Sequence, residues 1–176
     1  MNDLSVGSVP APACRTGAPL IRAAEPRDAA ALARLFDQMQ RHYGRPVSAD
    51  AALDAARIAC QAPVHLFDPR TLLAFRGERV VGSLVMNVSF PAFELTRSLY
   101  IRDLYVAREE RRSGIGRALV KAAAGLALRE GFSALEWTTD ALNAAARAMY
   151  ESCGARRLER TYYRLFDDTL RAAADA

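Results

Sequence analysis

Apolar and polar positions change their period several times along this chain, and each change marks an element. "PLIRAAE" is a short run that predicts an opening strand. In "PRDAAALARLFDQMQRHYG", Leu32, Leu35, Phe36 and Met39 recur at helical spacing and form one apolar stripe. Pro26 suits the first turn of that helix, and Gly44 and Pro46 end it. "SADAALDAARIACQ" predicts a second, weaker helix with Ser48 as its cap. "TLLAFRGERVVGSLVMNVSF" predicts two strands about an "RGER" turn. After the loop "PAFELTRS", the near-continuous apolar run "LYIRDLYV" predicts a central strand.

Residues 113 to 131 predict a third helix, with Ile115, Leu119, Ala123 and Leu126 on one face. "SALEWTTD" is a further strand, "NAAARAMYESCG" a short helix stopped by Gly154, and "RRLERTYYRLF" a strand that closes the sheet. The order β-α-α-β-β-β-α-β-α-β predicts one α/β (α+β) domain on a mixed sheet over residues 20–170. Residues 1–19, rich in Pro, Gly, Ala and Ser without periodicity, are expected to be a loose leader, and 171–176 a tail.

Composition narrows the class of function. No apolar run approaches the roughly 20 residues a bilayer span needs, so no membrane partner is expected. The net charge of +4 is mild and Lys121 is the sole lysine. A nucleic-acid surface calls for a dense basic stripe with interleaved aromatics, which the chain lacks. Cys14, Cys60 and Cys153 are scattered, no CxxC occurs, and His42 and His65 lie far apart. Neither a metal site nor a disulfide framework is expected, and a cytoplasmic location fits.

The stretch "RRSGIGRALV" carries the chemistry. Two glycines one residue apart at a helix entry let a ligand approach backbone N–H groups that the first turn leaves unpaired. That is a phosphate cradle, of which three kinds compete. A P-loop needs Lys-Ser/Thr after its second glycine, where Arg117-Ala118 stand; a dinucleotide fingerprint needs a small residue where Leu119 stands. What remains is Arg111-x-x-Gly114-x-Gly116 between a buried strand and a helix.

That pattern, followed downstream by Asn143, Tyr150 and Gly154, resembles the signatures of the Gcn5-related N-acetyltransferase (GNAT) superfamily over residues 99 to 155. Within it, the chain is most similar to the spermidine/spermine acetyltransferases and their bacterial relatives, over roughly residues 20 to 160. The resemblance implies a GNAT fold: a central, mixed but mostly antiparallel sheet of six to seven strands with about four helices, its central strand bulged and splayed. It implies acetyl-CoA as cosubstrate, with backbone amides of Arg112, Ser113, Gly114, Ile115, Gly116 and Arg117 on the pyrophosphate and charge from Arg111, Arg112 and Arg117. It implies Leu104, Tyr105 and Val106 along the pantetheine, Asn143 and Arg147 on the coenzyme side of the last helix, and Tyr150 as the acid that protonates departing sulfur. A homodimer is common among such proteins.

The acceptor side is less defined. An alkyl amine of pKa about 10.4 costs about 4.6 kcal/mol to deprotonate at neutral pH, so a base is expected. Asp103 is the first candidate, with Glu94, Asp140 and His42 behind it. Arg102, Tyr43 and Glu94 are expected on the acceptor. Arg102 stands where the resembling enzymes carry a carboxylate that contacts polyamine, so either a polyamine or an amino-acid-like amine remains open. The alternatives are a non-catalytic acyl-CoA-binding domain and acetylation of a protein amine.

Overall fold

The computed structural model describes residues 17–175, so Cys14 and all of the expected leader but its last three residues lie outside the described residues. Strand β1 (Leu20–Ala23) leads through a 3-10 turn (Pro26–Asp28) into helix α1 (Ala29–His42) and then helix α2 (Ala49–Ala59). The hairpin β2 (Arg70–Arg76) and β3 (Arg79–Ser89) follows, then β4 (Ser98–Val106), α3 (Ile115–Arg129) and β5 (Ala134–Glu136). Helices α4 (Ala144–Glu151) and α5 (Asp167–Ala174) complete the chain. The chain forms two compact units that divide after Thr138: the sheet with α1 to α3, and the segment holding α4 and α5.

In the first unit the strands lie in the order β1-β2-β3-β4-β5, antiparallel throughout except for the parallel β4–β5 pair. One face is covered by α1 and α2, whose Leu32, Leu35, Met39, Ala56, Ala59 and Cys60 pack with Leu73, Phe75 and Tyr105. Burial pushes the Cys60 thiol up to about 11, which keeps it protonated as a core residue. The other face takes α3, and here β3 carries a glycine for a steric reason. A Cβ on Gly82 would stand 3.0 Å from the Ile115 side chain and 3.2 Å from that of Leu119. The bare backbone lets the first turns of α3 sit directly on the sheet.

Local chemistry sets the element ends. Arg22 donates from Nη1 and Nη2 to the Asp28 carboxylate (2.6 and 2.8 Å), and the Glu25 N–H donates to it as well (2.8 Å), which pins β1 to the start of α1. The Arg22 hydrogen bonds hold the Asp28 carboxyl below the usual range, against the burial that raises it. Ser48 Oγ accepts from the Ala51 N–H (3.1 Å), the expected cap of α2.

Two expectations are corrected. Among the described residues the sheet has five strands, not six or seven, and there are five α-helices, not four. "RRLERTYYRLF" is not a strand: residues 156–166 are irregular, with Leu158, Tyr162, Tyr163, Leu165 and Phe166 exposed. In an extended chain Leu158, Tyr162 and Phe166 would share one face with Arg160 and Arg164, and Tyr163 and Leu165 the other with Glu159, so neither face is apolar. The boundary expected at residue 170 falls inside α5. No helix among the described residues is long and apolar enough to cross a membrane.

Candidate active site

Strand β4 positions the site because its two ends are paired differently. Ser98, Leu99 and Tyr100 have β3 on one edge and β5 on the other, through the pairs Ser98↔Ala134, Leu99↔Leu135 and Tyr100↔Glu136. From Ile101 to Val106 only β3 is paired. The ladder also shifts register there: Val85 pairs with Asp103 and Met86 with Ile101, so Arg102 is the extra residue of a bulge. Bulges twist a strand and end pairing, so the free edge of β4 begins at the kink. The backbone groups that alternate away from β3, apart from the Val106 carbonyl, which accepts from Arg111 Nε, can meet an extended ligand in the manner of an added strand.

The bulge also resets the faces. Tyr105 packs in the α1 core, and Asp103, two residues before it, faces the same way. Arg102 and Asp103 are both exposed, and Arg102 makes no ion pair with any described residue. Desolvation raises the Asp103 carboxyl above its ordinary value although the Arg102 guanidinium pulls the other way. The side chain is open by area, yet the protein around the carboxylate displaces enough water to raise its pKa.

After β4 a 3-10 turn (Arg108–Glu110) leads into the loop before α3. Gly114 caps α3 with φ 84, a left-handed position that favours glycine. The first intrahelical bond runs from the Ala118 N–H to the Gly114 carbonyl (3.0 Å), so the amides from Ile115 to Arg117 form the first turn of the helix, ahead of its own ladder. They point out of the helix at its positive end. Arg112 adopts φ 62, a left-handed position where a side chain costs about 1–2 kcal/mol.

The loop side chains divide. Ile115 is 1% exposed, so only its backbone is available. Ser113 donates to the Glu110 carbonyl (2.6 Å). Arg111 turns inward: its Nε donates to the Val106 carbonyl (3.2 Å) and its guanidinium lies 5.4 Å from the centre of the Tyr105 ring. Arg112 and Arg117 are exposed. Leu104 and Val106 are half-buried and Tyr105 is buried.

On the acceptor side the Tyr105 ring centre is 6.3 Å from that of His42, which in turn is 5.2 Å from that of Tyr43. His42 thus stands nearer the bulge than its place at the end of a helix suggested from sequence. Glu94 is exposed on the turn before β4, with φ 57, and makes no ion pair with a described residue.

In the second unit, Asn143 caps α4, its side chain accepting from the Ala146 N–H (3.1 Å). Tyr150, seven residues on, is half-buried on the same side of that helix, about 10 Å further along its axis. Arg147 lies between them, with its Nε buried and without a hydrogen-bond partner. Asp140 accepts from the Leu142 N–H (2.8 Å) in the turn that precedes the cap.

Comparison with known proteins decides the family. Residues 32–155 match the acetyltransferase (GNAT) family. The chain belongs to that family. It is 29% identical over 134 residues to the uncharacterized N-acetyltransferase YhfO of Bacillus subtilis (strain 168), covering 76% of this chain and 87% of that one. It is 32% identical over 94 residues to the L-ornithine N5-acetyltransferase NATA1 of Arabidopsis thaliana, covering 53% of this chain and 41% of that one. Several curated relatives are longer, and this GNAT chain spans less than half of their length. Among solved structures, an integron cassette protein from the mobile metagenome of V. cholerae superposes with a TM-score of 0.76 at 25% identity, covering 92% of this chain and all of that one. GNAT enzymes use acetyl-CoA, and the open edge of β4 with the amide-lined start of α3 has the polarity that a thioester arm and a diphosphate need.

Proposed function

We propose that this GNAT chain transfers the acetyl group of acetyl-CoA to a primary amine of an amino-acid-like small molecule, by direct attack of the amine on the thioester. The single observation that carries the proposal is the parting of β4 from β5 after Tyr100, with the bulge at Arg102 and the glycine-capped start of α3 following in the same stretch of chain.

Acetyl-CoA supplies the activated acyl group; the chain supplies everything else. The amides of Ile115, Gly116 and Arg117 hold the diphosphate without a metal, and Arg112 and Arg117 add charge. The free edge of β4 from Leu104 to Val106 pairs with the pantetheine arm, and an N–H there steadies the developing oxyanion. Arg111 acts differently from its neighbours. By gripping the Val106 carbonyl it stiffens the end of the strand on which the arm is laid. Asp103 accepts the proton of the amine, directly or through water. Its raised pKa brings it nearer the working pH, which favours that transfer. The bond from amine nitrogen to carbonyl carbon forms, the carbon–sulfur bond breaks, and Tyr150 gives its proton to the sulfur, since a phenol of pKa about 10 can protonate a thiolate whose acid titrates near 8.5.

The acceptor follows from the bulge. A lone cation beside a carboxylate suits a zwitterion: Arg102 for a carboxylate, Asp103 for the amine. A diamine without a carboxylate would meet the repulsion of Arg102 and gain nothing from it. The ornithine specificity in the name of the plant relative agrees with this choice. A homodimer in the cytoplasm is part of the same proposal.

The test is release of free thiol from acetyl-CoA by the purified chain with basic amino acids and with diamines of equal length. Turnover on the amino acids, reversed in preference by Arg102→Glu, is the expected result. Tight coenzyme binding with no thiol release on any amine would favour instead a non-catalytic acyl-CoA-binding domain.

A further inference from the structure

The hairpin that joins β2 to β3 ends in two arginines, Arg76 and Arg79, which are partners in the last pair of its ladder. The turn that carries β4 into the coenzyme loop ends in two glutamates, Glu109 and Glu110. The two pairs meet. Arg79 Nη2 donates to Glu109 Oε1 at 3.0 Å, in solvent, and Arg76 Nε lies 3.8 Å from Glu110 Oε2, with the two side chains only 19% and 10% exposed.

We propose that the Arg76–Glu110 ion pair, backed by Arg79–Glu109, is a clamp that fixes the pose of the coenzyme loop, with Arg76 and Glu110 as positioning residues that do not touch the ligand. The proposal rests on the function given above, because it concerns the loop that holds the diphosphate.

Covalent continuity carries the first part of it. Glu110 is followed directly by Arg111, which is anchored on the Val106 carbonyl, and the Glu110 carbonyl itself receives the Ser113 hydroxyl. The residues from Glu110 to Ser113 therefore move as one piece, and the amides at the start of α3 come immediately after. Burial carries the second part. Two charges withdrawn from water on separate elements hold each other in place, whereas the exposed Arg79–Glu109 pair adds little on its own. The distance carries the third. At 3.8 Å the nearest atoms are in ionic contact without a hydrogen bond, and Arg76 Nε and Glu110 Oε2 have no other hydrogen-bond partner. A core built for stability alone would satisfy those atoms or replace them with apolar groups.

The experiment measures CoA affinity by calorimetry and steady-state kinetics on the full chain for Glu110→Gln and for the double variant Arg76→Met/Glu110→Met. The double variant replaces the buried charges by apolar groups of similar length, so its thermal midpoint should equal or exceed that of the wild type. Both variants should bind CoA about tenfold more weakly. Turnover at saturating acetyl-CoA should stay within about twofold and KM for the amine should not move, the split expected of a group that orients the coenzyme site alone. If Glu110→Gln fails to fold, the double variant decides. Wild-type affinity in a folded variant, or an equal loss in turnover and both KM values, overturns the clamp and leaves the acetyltransferase assignment standing. A wild-type chain with no CoA isotherm would remove the assignment, and the clamp with it.

Discussion

From Ser98 to Tyr100, β4 has a neighbour on each edge and buries Ser98 and Leu99 completely; from Ile101 to Val106 it has a neighbour on one edge only, and Arg102 and Asp103 face solvent. The same strand is scaffold at one end and candidate active site at the other. Between them lies one extra residue at the bulge, just past the point where the pairing with β5 ends. A sheet that completed its hydrogen bonds along the whole of β4 would be more regular and would have no backbone left to offer a ligand.

The contrast can be broken or sharpened by substitutions that move turnover without stability, or the reverse. The largest effect is expected on the reacting side. Tyr150→Phe should lower kcat by about 100-fold or more, measured across pH to show that an acid has been lost. On the scaffold side, Asp28→Asn should cost about 2 kcal/mol of stability, because it strips a buried partner from Arg22, and leave CoA affinity alone. The pH dependence has a definite sign. The Asp28 carboxyl is lowered by Arg22, so its contribution is present above the ordinary carboxylate value and disappears as pH falls through the folded one. Denaturation of wild type and variant at neutral and acid pH should therefore converge in acid.

Asp103 sits on the other side of the contrast and has the opposite sign. Desolvation raises its pKa, so its folded form favours the proton, and the stability this gives below the ordinary value is lost as pH rises through the folded one. Asp103→Asn should slightly raise the neutral-pH midpoint while lowering kcat/KM about tenfold, the mark of a group kept for function. The smallest change is expected at Ser48→Ala, about 1 kcal/mol of stability from the lost cap with turnover unchanged.

How far each region could be read beforehand follows from the range of the interactions involved. The stripe of Leu32, Leu35, Phe36 and Met39, the Ser48 cap and the Gly114 entry to α3 are local signals, and they stand as expected, with Phe36 only partly buried against the core. The glycine pattern was legible because it demands particular backbone angles. The bulge was implied by the family resemblance alone, since "LYIRDLYV" carries neither Gly nor Pro and the position of the shift appears only when Val85 and Met86 are set against it. Gly82 gave no sign of its purpose until α3 lay on it. The Arg76–Glu110 pair joins residues far apart in sequence, and its only trace was the presence of two charged pairs in "RGER" and "REE". "RRLERTYYRLF" misled because its aromatics suggest a strand while its charges spoil both faces.

The most direct measurement is amide hydrogen exchange with and without CoA. Protection should appear on the N–H groups of Leu104 and Val106, which alternate away from β3, and of Ile115 to Arg117, while β1 from Leu20 to Ala23 exchanges as before. Binding that leaves those amides unprotected and slows exchange elsewhere would contradict the account.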